Sequence, residues 1–305
     1  MSEADVELDS THQSDPRAKR AARLTGSVIG VLLFVAAIVT IAMEGDKLKK
    51  AWDEAANAPL WLVVVILALP ALNWLVISAS FQLLTRRFGE VRFREMLALV
   101  GSAWLLNYLP MRPGMFGRLA YHKRYNGIRV KDSVRVLVES VVLSVAAIVL
   151  LVVLAMIVPE NSVIGYVILS APLIITAPAA VVLKRFTTLT WRFVGAFAFR
   201  YIDAIIWAGR YAAVLWFVGA PVGLHRAALA AAASQAVQLI PVAGNGLGFR
   251  EWAISLTVED GLVADVTNRA AEVAVALVIG LIAGAWLAAL VRSRDRQSQP
   301  PATTE

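Results

Sequence analysis

The chain contains no cysteine. That removes disulfide scaffolds, thiolate metal sites, iron–sulfur ligation and cysteine nucleophiles. It also removes any redox clue to compartment. Charge is scarce: Asp, Glu, Lys and Arg make up 17% of the 305 residues. There are three histidines, His12, His122 and His225. No HExxH, no nucleophile elbow and no paired His–carboxylate spacing occurs. No catalytic constellation is legible, so a non-enzyme without metal or cofactor is expected. What fills the chain instead is apolar. Hydrophobic residues reach 59%, including nine Trp, against roughly 45–50% in soluble domains. That composition excludes a disordered chain. It argues against a single water-soluble core, because so much apolar surface could not all be hidden inside one. The implied solvent is lipid. Lys and Arg outnumber Asp and Glu 29 to 22, a formal charge of +7. In lipid this balance reads as attraction to anionic headgroups before nucleic acid.

Residues 1–16 read as a disordered cytoplasmic tail and 293–305 as a second one, with a single transmembrane domain over 17–292. Arg17, Lys19, Arg20 and Arg23 precede an apolar run at 24–43. About 20 residues suffice for a helix to cross a bilayer. The run is too long for a signal-peptide core and lacks a cleavage site, so it reads as an uncleaved first span. Further apolar runs lie at 60–84, 96–116, 136–158, 163–183, 194–220, 227–254 and 270–291. All are helical by length and by the absence of strand-like alternation.

Basic residues orient such a chain, since cytoplasmic loops concentrate Lys and Arg. In order, the segments between runs carry 4, 3, 4, 6, 0, 3, 1, 1 and 3 of them. Simple alternation fails around 96–116 and around 227–254. Both failures vanish if those two runs enter the membrane and return to the side they came from. The expectation is therefore an all-α polytopic membrane protein with about six full spans, two re-entrant hairpins and both termini cytoplasmic. In that topology 20 basic residues are cytoplasmic and five, including Arg269 in the segment 257–269, are outer.

The two hairpin candidates resemble each other. An offset of 131 residues carries Pro110 onto Pro241 and Gly117 onto Gly248. It gives repeat A at about 60–158 and repeat B at about 191–291, inverted because three spans separate the hairpins. Inverted repeats with Gly/Pro-broken segments at matching positions point to a transporter's binding site.

Four basic residues remain: Arg112, Arg200, Arg210 and Arg250, all in or beside apolar runs. A charge at membrane depth costs at least about 2.5–3.5 kcal/mol on insertion scales, so it faces a cavity or a partner. Arg200, Asp203 and Arg210 share one helix face by their spacing of three and seven. Two Arg and one Asp leave one positive charge for an anionic ligand; the bland alternative is an internal Arg200–Asp203 pair. Arg suits phosphate because its planar fork donates two parallel hydrogen bonds. The broken hairpins add free backbone N–H groups, with Gly114, Gly117, Gly244, Gly246 and Gly248 permitting close approach. Asn107, Gln238 and Asn245 are polar neighbours. Glu139, Asp203 and Glu251 are the proton- or ion-coupling candidates, Glu139 being equally readable as a pair with Arg135. His122 and His225 read as interfacial and solvated.

On these motifs the chain resembles the lysylphosphatidylglycerol synthase transmembrane region, a family of lipid-flippase domains. The family pattern Pro-x-Arg-x-Gly-Glu-x-x-Arg is matched by Pro110, Arg112, Gly114 and Arg118, with Met115 at the Glu position. A second pattern, Pro, a glycine-rich turn and Glu, is matched by Pro241, Gly244, Gly246, Gly248 and Glu251. The resemblance implies a stand-alone flippase-like domain, without the soluble catalytic domain of the synthases. The expected function is movement of an anionic, phosphate-bearing lipid, a phospholipid or a polyprenyl phosphate, between leaflets of a cell membrane. The alternatives are a non-transporting scaffold or regulator of a cell-envelope enzyme, and a membrane enzyme on a lipid-linked substrate.

Overall fold

The computed structural model describes residues 57–108, 113–157, 162–187, 189–238, 249–258 and 261–297. The expected first span at 24–43 lies outside them. So do Pro110, Arg112, Pro241, Gly244, Asn245, Gly246 and Gly248. The described residues form helices and no strand: α1 Leu60–Thr85, α2 Phe93–Leu106, α3 Pro113–Tyr125, α4 Val130–Ile157, α5 Val163–Leu183, α6 Thr190–Phe217, α7 Leu224–Gln238, α8 Phe249–Ser255 and α9 Gly261–Gln297. Four of them, α1, α4, α5 and α9, are long and apolar enough to cross a membrane. Prolines inside α1 (Pro70) and α5 (Pro172, Pro178) do not end those helices; in lipid an unravelled helix has no water to satisfy its backbone, so prolines are tolerated there.

Side chains are distributed opposite to a water-soluble bundle. Apolar residues of α4 and α5 face outward, Val142 at 60% exposure and Val163 at 78%. The interior holds Asn73, Arg200, Asp203, Arg210, Arg250, Asp265, Asn268 and Glu272, all at most 6% exposed. Only a surrounding medium as apolar as the outer side chains makes that arrangement favourable.

The central element is α6. It packs against α1, α4, α5, α7 and α9. At 28 residues it matches α4 in length. Its ionisable residues dilute its hydropathy, and the surrounding helices hide them. Helix association in lipid gains little from apolar burial and depends on close packing. Small residues supply that closeness: Ala204 and Ala208 of α6 and Ala228 and Ala231 of α7 are at most 2% exposed. Helix α6 ends at Gly219, whose φ of 77° is left-handed, a conformation glycine adopts without steric cost.

Neither run read as a hairpin contributes a helix to the four spanning candidates. Run 96–116 contributes to α2 and α3, and run 227–254 to α7 and α8. The α2–α3 contact requires glycine: a Cβ on Gly114 would lie 2.3 Å from the Ala103 carbonyl oxygen.

Several helices extend beyond their apolar runs, α4 by starting at Val130 and α9 by running on to Gln297, into the segment read as a tail. The last helix begins at Gly261, not near 270, so most of the segment read as an outer loop is helix. Its polar residues Asp265 and Asn268 mask it from a hydropathy reading, yet they are 0% and 1% exposed. They are turned inward, where partners offset the cost of burial.

Candidate functional site

Arg200, Asp203 and Arg210 lie on the inward face of α6, as their spacing predicts, at 6%, 3% and 1% exposure. Arg200 and Asp203 form the internal pair given as the alternative reading, at 3.8 Å. Arg210 is fully engaged: Nε donates to Asn268 Oδ1 at 3.1 Å, Nη1 to Asn73 Oδ1 at 3.2 Å and Nη2 to Glu272 Oε2 at 2.9 Å. It is therefore not the spare positive charge. Its guanidinium also lies 4.0 Å from the Trp207 ring centre.

Arg250, brought in by α8, is 0% exposed. Its Nε donates to Asp265 Oδ1 at 2.8 Å and its Nη1 to Glu272 Oε2 at 3.3 Å. Tyr211 donates to the same Asp265 oxygen at 2.6 Å. Glu272 thus bridges two arginines, and Asp265 holds one of them. Sequence reasoning missed Asp265, Asn268 and Glu272. A signal existed, because their spacing of three and four places them on one helix face.

The other end of the network is less balanced. Asn73 of α1 donates to Asp203 Oδ1 at 2.6 Å. Arg200 reaches Asp203 Oδ2 only at 3.8 Å and also bonds the Ser140 hydroxyl of α4. Arg118, on α3, is 9% exposed and has no hydrogen bond or ion pair among the described residues; its guanidinium sits 3.9 Å from the centre of the Phe81 ring. Arg200 approaches the same ring at 5.0 Å. Arg210 and Arg250 pair with Glu272 and Asp265; Asp203 pairs with Arg200, and Arg118 pairs with no carboxylate among the described residues.

These groups line a cavity of about 320 Å³. Asn73 and Phe81 come from α1, Met115 and Arg118 from α3, Ser144 from α4, Arg200, Asp203 and Arg210 from α6, Gln235 and Gln238 from α7, and Glu272 from α9. Asn107, at the end of α2, also lines it. Three lining atoms, Asn107 Oδ1, Arg200 Nε and Gln235 Nε2, are buried without a hydrogen bond. The volume is at the small end of the range for ligand pockets. Chemically it is a partly apolar chamber with one excess cation among the described lining residues and unused hydrogen-bonding capacity.

The remaining predicted residues divide as follows. Gly114 is a packing residue, and Gly117 faces open space. Glu251 belongs to α8; its side chain is outside the description. Glu139 is bonded by Arg135 Nε at 2.9 Å and by Arg87, the ion-pair alternative with one more partner than expected. His122 is not solvated: it is 3% exposed, with Nδ1 3.3 Å from Asn126 Oδ1. Burial, and then the neighbouring Arg118, push its pKa from the ordinary 6.5 down to about 4. No group of three or more metal-ligand residues occurs among the described residues.

No protein-family model, no curated protein and no solved structure matches this chain.

Proposed function

We propose that this chain is a membrane transporter of an anionic, phosphate-bearing lipid, with the headgroup held in the arginine-lined cavity. The observation that carries the reading is the convergence of Arg118 and Arg200 on Phe81, where, among the described residues, Asp203 beside Arg200 is the one carboxylate that pairs with either. Two guanidiniums against one carboxylate are costly in a low-dielectric interior unless an anion completes the set. A phosphate does so, accepting bidentate hydrogen bonds from an arginine fork.

The helix bounds support the repeat. The offset of 131 residues carries α1 onto α6, α2 onto α7 and α4 onto the first part of α9, with starts agreeing within one residue. It also carries Asn107 onto Gln238, and both line the cavity. In this reading α2–α3 and α7–α8 are re-entrant hairpins from opposite faces, and α6 and the run at 24–43 complete six spans. Both termini are cytoplasmic. Movement of one repeat against the other would open the cavity to either leaflet. The resemblance to the flippase family points to the same class of cargo.

The test is reconstitution into vesicles with labelled lipids of both classes, phospholipid and polyprenyl phosphate. Wild-type protein should accelerate crossing of at least one anionic lipid. Arg118→Gln and Arg200→Gln should each slow it by about tenfold or more, the worth of a charged hydrogen bond. If no lipid of either class crosses faster with protein present, the reading fails.

A further inference from the structure

Arg118 lines more than the headgroup cavity. It is also part of the wall of a second recess, of about 340 Å³, between α2, α3 and the far half of α9. Leu99 and Leu106 of α2, Gly117 of α3 and Gly284, Leu287 and Val291 of α9 form most of that wall. Leu106 is 41% exposed, so the recess opens onto the outer, lipid-facing side of the bundle. Two of its wall positions are glycines with nothing within 4 Å of where a Cβ would stand. The space is kept by missing side chains, and it meets the headgroup cavity at a buried arginine that has no hydrogen bond or ion pair among the described residues.

We propose that this recess seats one acyl chain of a phospholipid whose phosphate lies against Arg118. The inference rests on the headgroup reading and adds the path by which the lipid reaches the cavity from the bilayer. An apolar recess open to lipid fills with hydrocarbon, because a void forfeits dispersion contacts along its lining. The phosphate and the chain belong to one molecule, and Arg118 is the one charged residue common to both spaces. Phospholipid is the occupant because it is the bulk component of the surrounding bilayer, and occupancy follows concentration.

The experiment uses the full chain in phosphatidylcholine nanodiscs and two probes. One is a phosphatidic acid carrying a diazirine in one acyl chain, with crosslinked peptides mapped. The other is glycerol 3-phosphate, a headgroup without a chain. Wild type should crosslink within residues 99–106 and 284–291 and bind glycerol 3-phosphate in an Arg118-dependent way. Gly284→Leu improves helix propensity yet fills the recess. It should cut the tail crosslink by about tenfold, the usual cost of overpacking, and leave glycerol 3-phosphate binding unchanged. Ala285→Leu, at the next, exposed position outside the recess, should change neither. If glycerol 3-phosphate binds but the tail crosslinks elsewhere, or crosslinks equally in Gly284→Leu, the recess is wrong and the headgroup reading stands. If glycerol 3-phosphate shows no Arg118-dependent binding, both fall. If a diazirine polyprenyl phosphate labels the recess and phosphatidic acid does not, the assignment to phospholipid is overturned.

Discussion

Glu272 accepts hydrogen bonds from Arg210 at 2.9 Å and from Arg250 at 3.3 Å, with 2% of its surface exposed. Removing it would strand the buried Arg210 and leave Arg250 with Asp265 alone. Glu272→Ala should therefore cost about 3–5 kcal/mol, read as a lower unfolding temperature of the purified protein in detergent. Glu272→Gln, which keeps an acceptor, should cost less. Arg118 predicts the opposite pattern. It has no ion pair to lose, so Arg118→Gln should unfold at the same temperature as wild type or higher, while losing its effect on lipid. The contrast separates charges that hold the fold from one that does not. At this scale sequence spacing was sufficient for Arg200, Asp203 and Arg210, since one helix carries all three. It was not sufficient for their partners. Asn73 and Arg210 are 137 residues apart, and Arg210 and Glu272 are 62 apart.

Between α2 and α3 a single missing methyl sets the geometry. Gly114→Ala would place a Cβ 2.3 Å from the Ala103 carbonyl oxygen and 2.6 Å from Ala103 Cα. Neither backbone atom can move without separating the two helices. Overpacking of this kind costs about 1–3 kcal/mol or more, so Gly114→Ala should lower the unfolding temperature. Gly117→Ala, three residues on with open space around it, should raise it slightly, by the roughly 1 kcal/mol that separates Ala from Gly in a helix. The end of α2 at Leu106 was legible, because Pro and Gly interrupt the apolar pattern just beyond it; the matching residues 239–248 of the second run lie outside the described ones. The early start of α9 was not, because hydropathy scores Asp265 and Asn268 as loop and cannot register that both face inward.

The far end of α9 is tied to α2 and α3 by one buried carboxylate. Glu95 Oε1 accepts from the Tyr121 hydroxyl at 2.8 Å, from Asn126 at 3.1 Å and from Arg294 at 3.0 Å. Burial alone would raise its pKa; the hydrogen bonds from Arg294, Tyr121 and Asn126 hold it below the ordinary 4.5. Such a group stabilises the fold above 4.5, and that contribution is lost as pH falls further. His122, neutral when folded, acts in the same direction over a higher window: from 6.5 down to about 4 the unfolded chain binds the proton more readily. The unfolding temperature should be level above pH 6.5 and decline below it, and His122→Gln should flatten the upper part of that decline. Topology is testable on the same scale. Single cysteines at Lys123 and Pro221, both exposed, should label from opposite faces of the membrane; labelling from the same face would exclude the two-hairpin arrangement. The absence of native cysteine makes the background clean.

Composition and hydropathy by themselves determined that this is a helical chain for a lipid setting. Local periodicity determined where the described spans lie and which face of α6 carries charge. Both are properties of a single helix, decided by the solvent it requires and by the 3.6-residue turn. Only the tertiary structure decided how the charges pair. It matched Arg210 and Arg250 to Glu272 and Asp265, gave Asp203 to Arg200 and left Arg118 without a carboxylate among the described residues. That outcome depends on distances between helices far apart in the chain, which no pattern along one helix encodes.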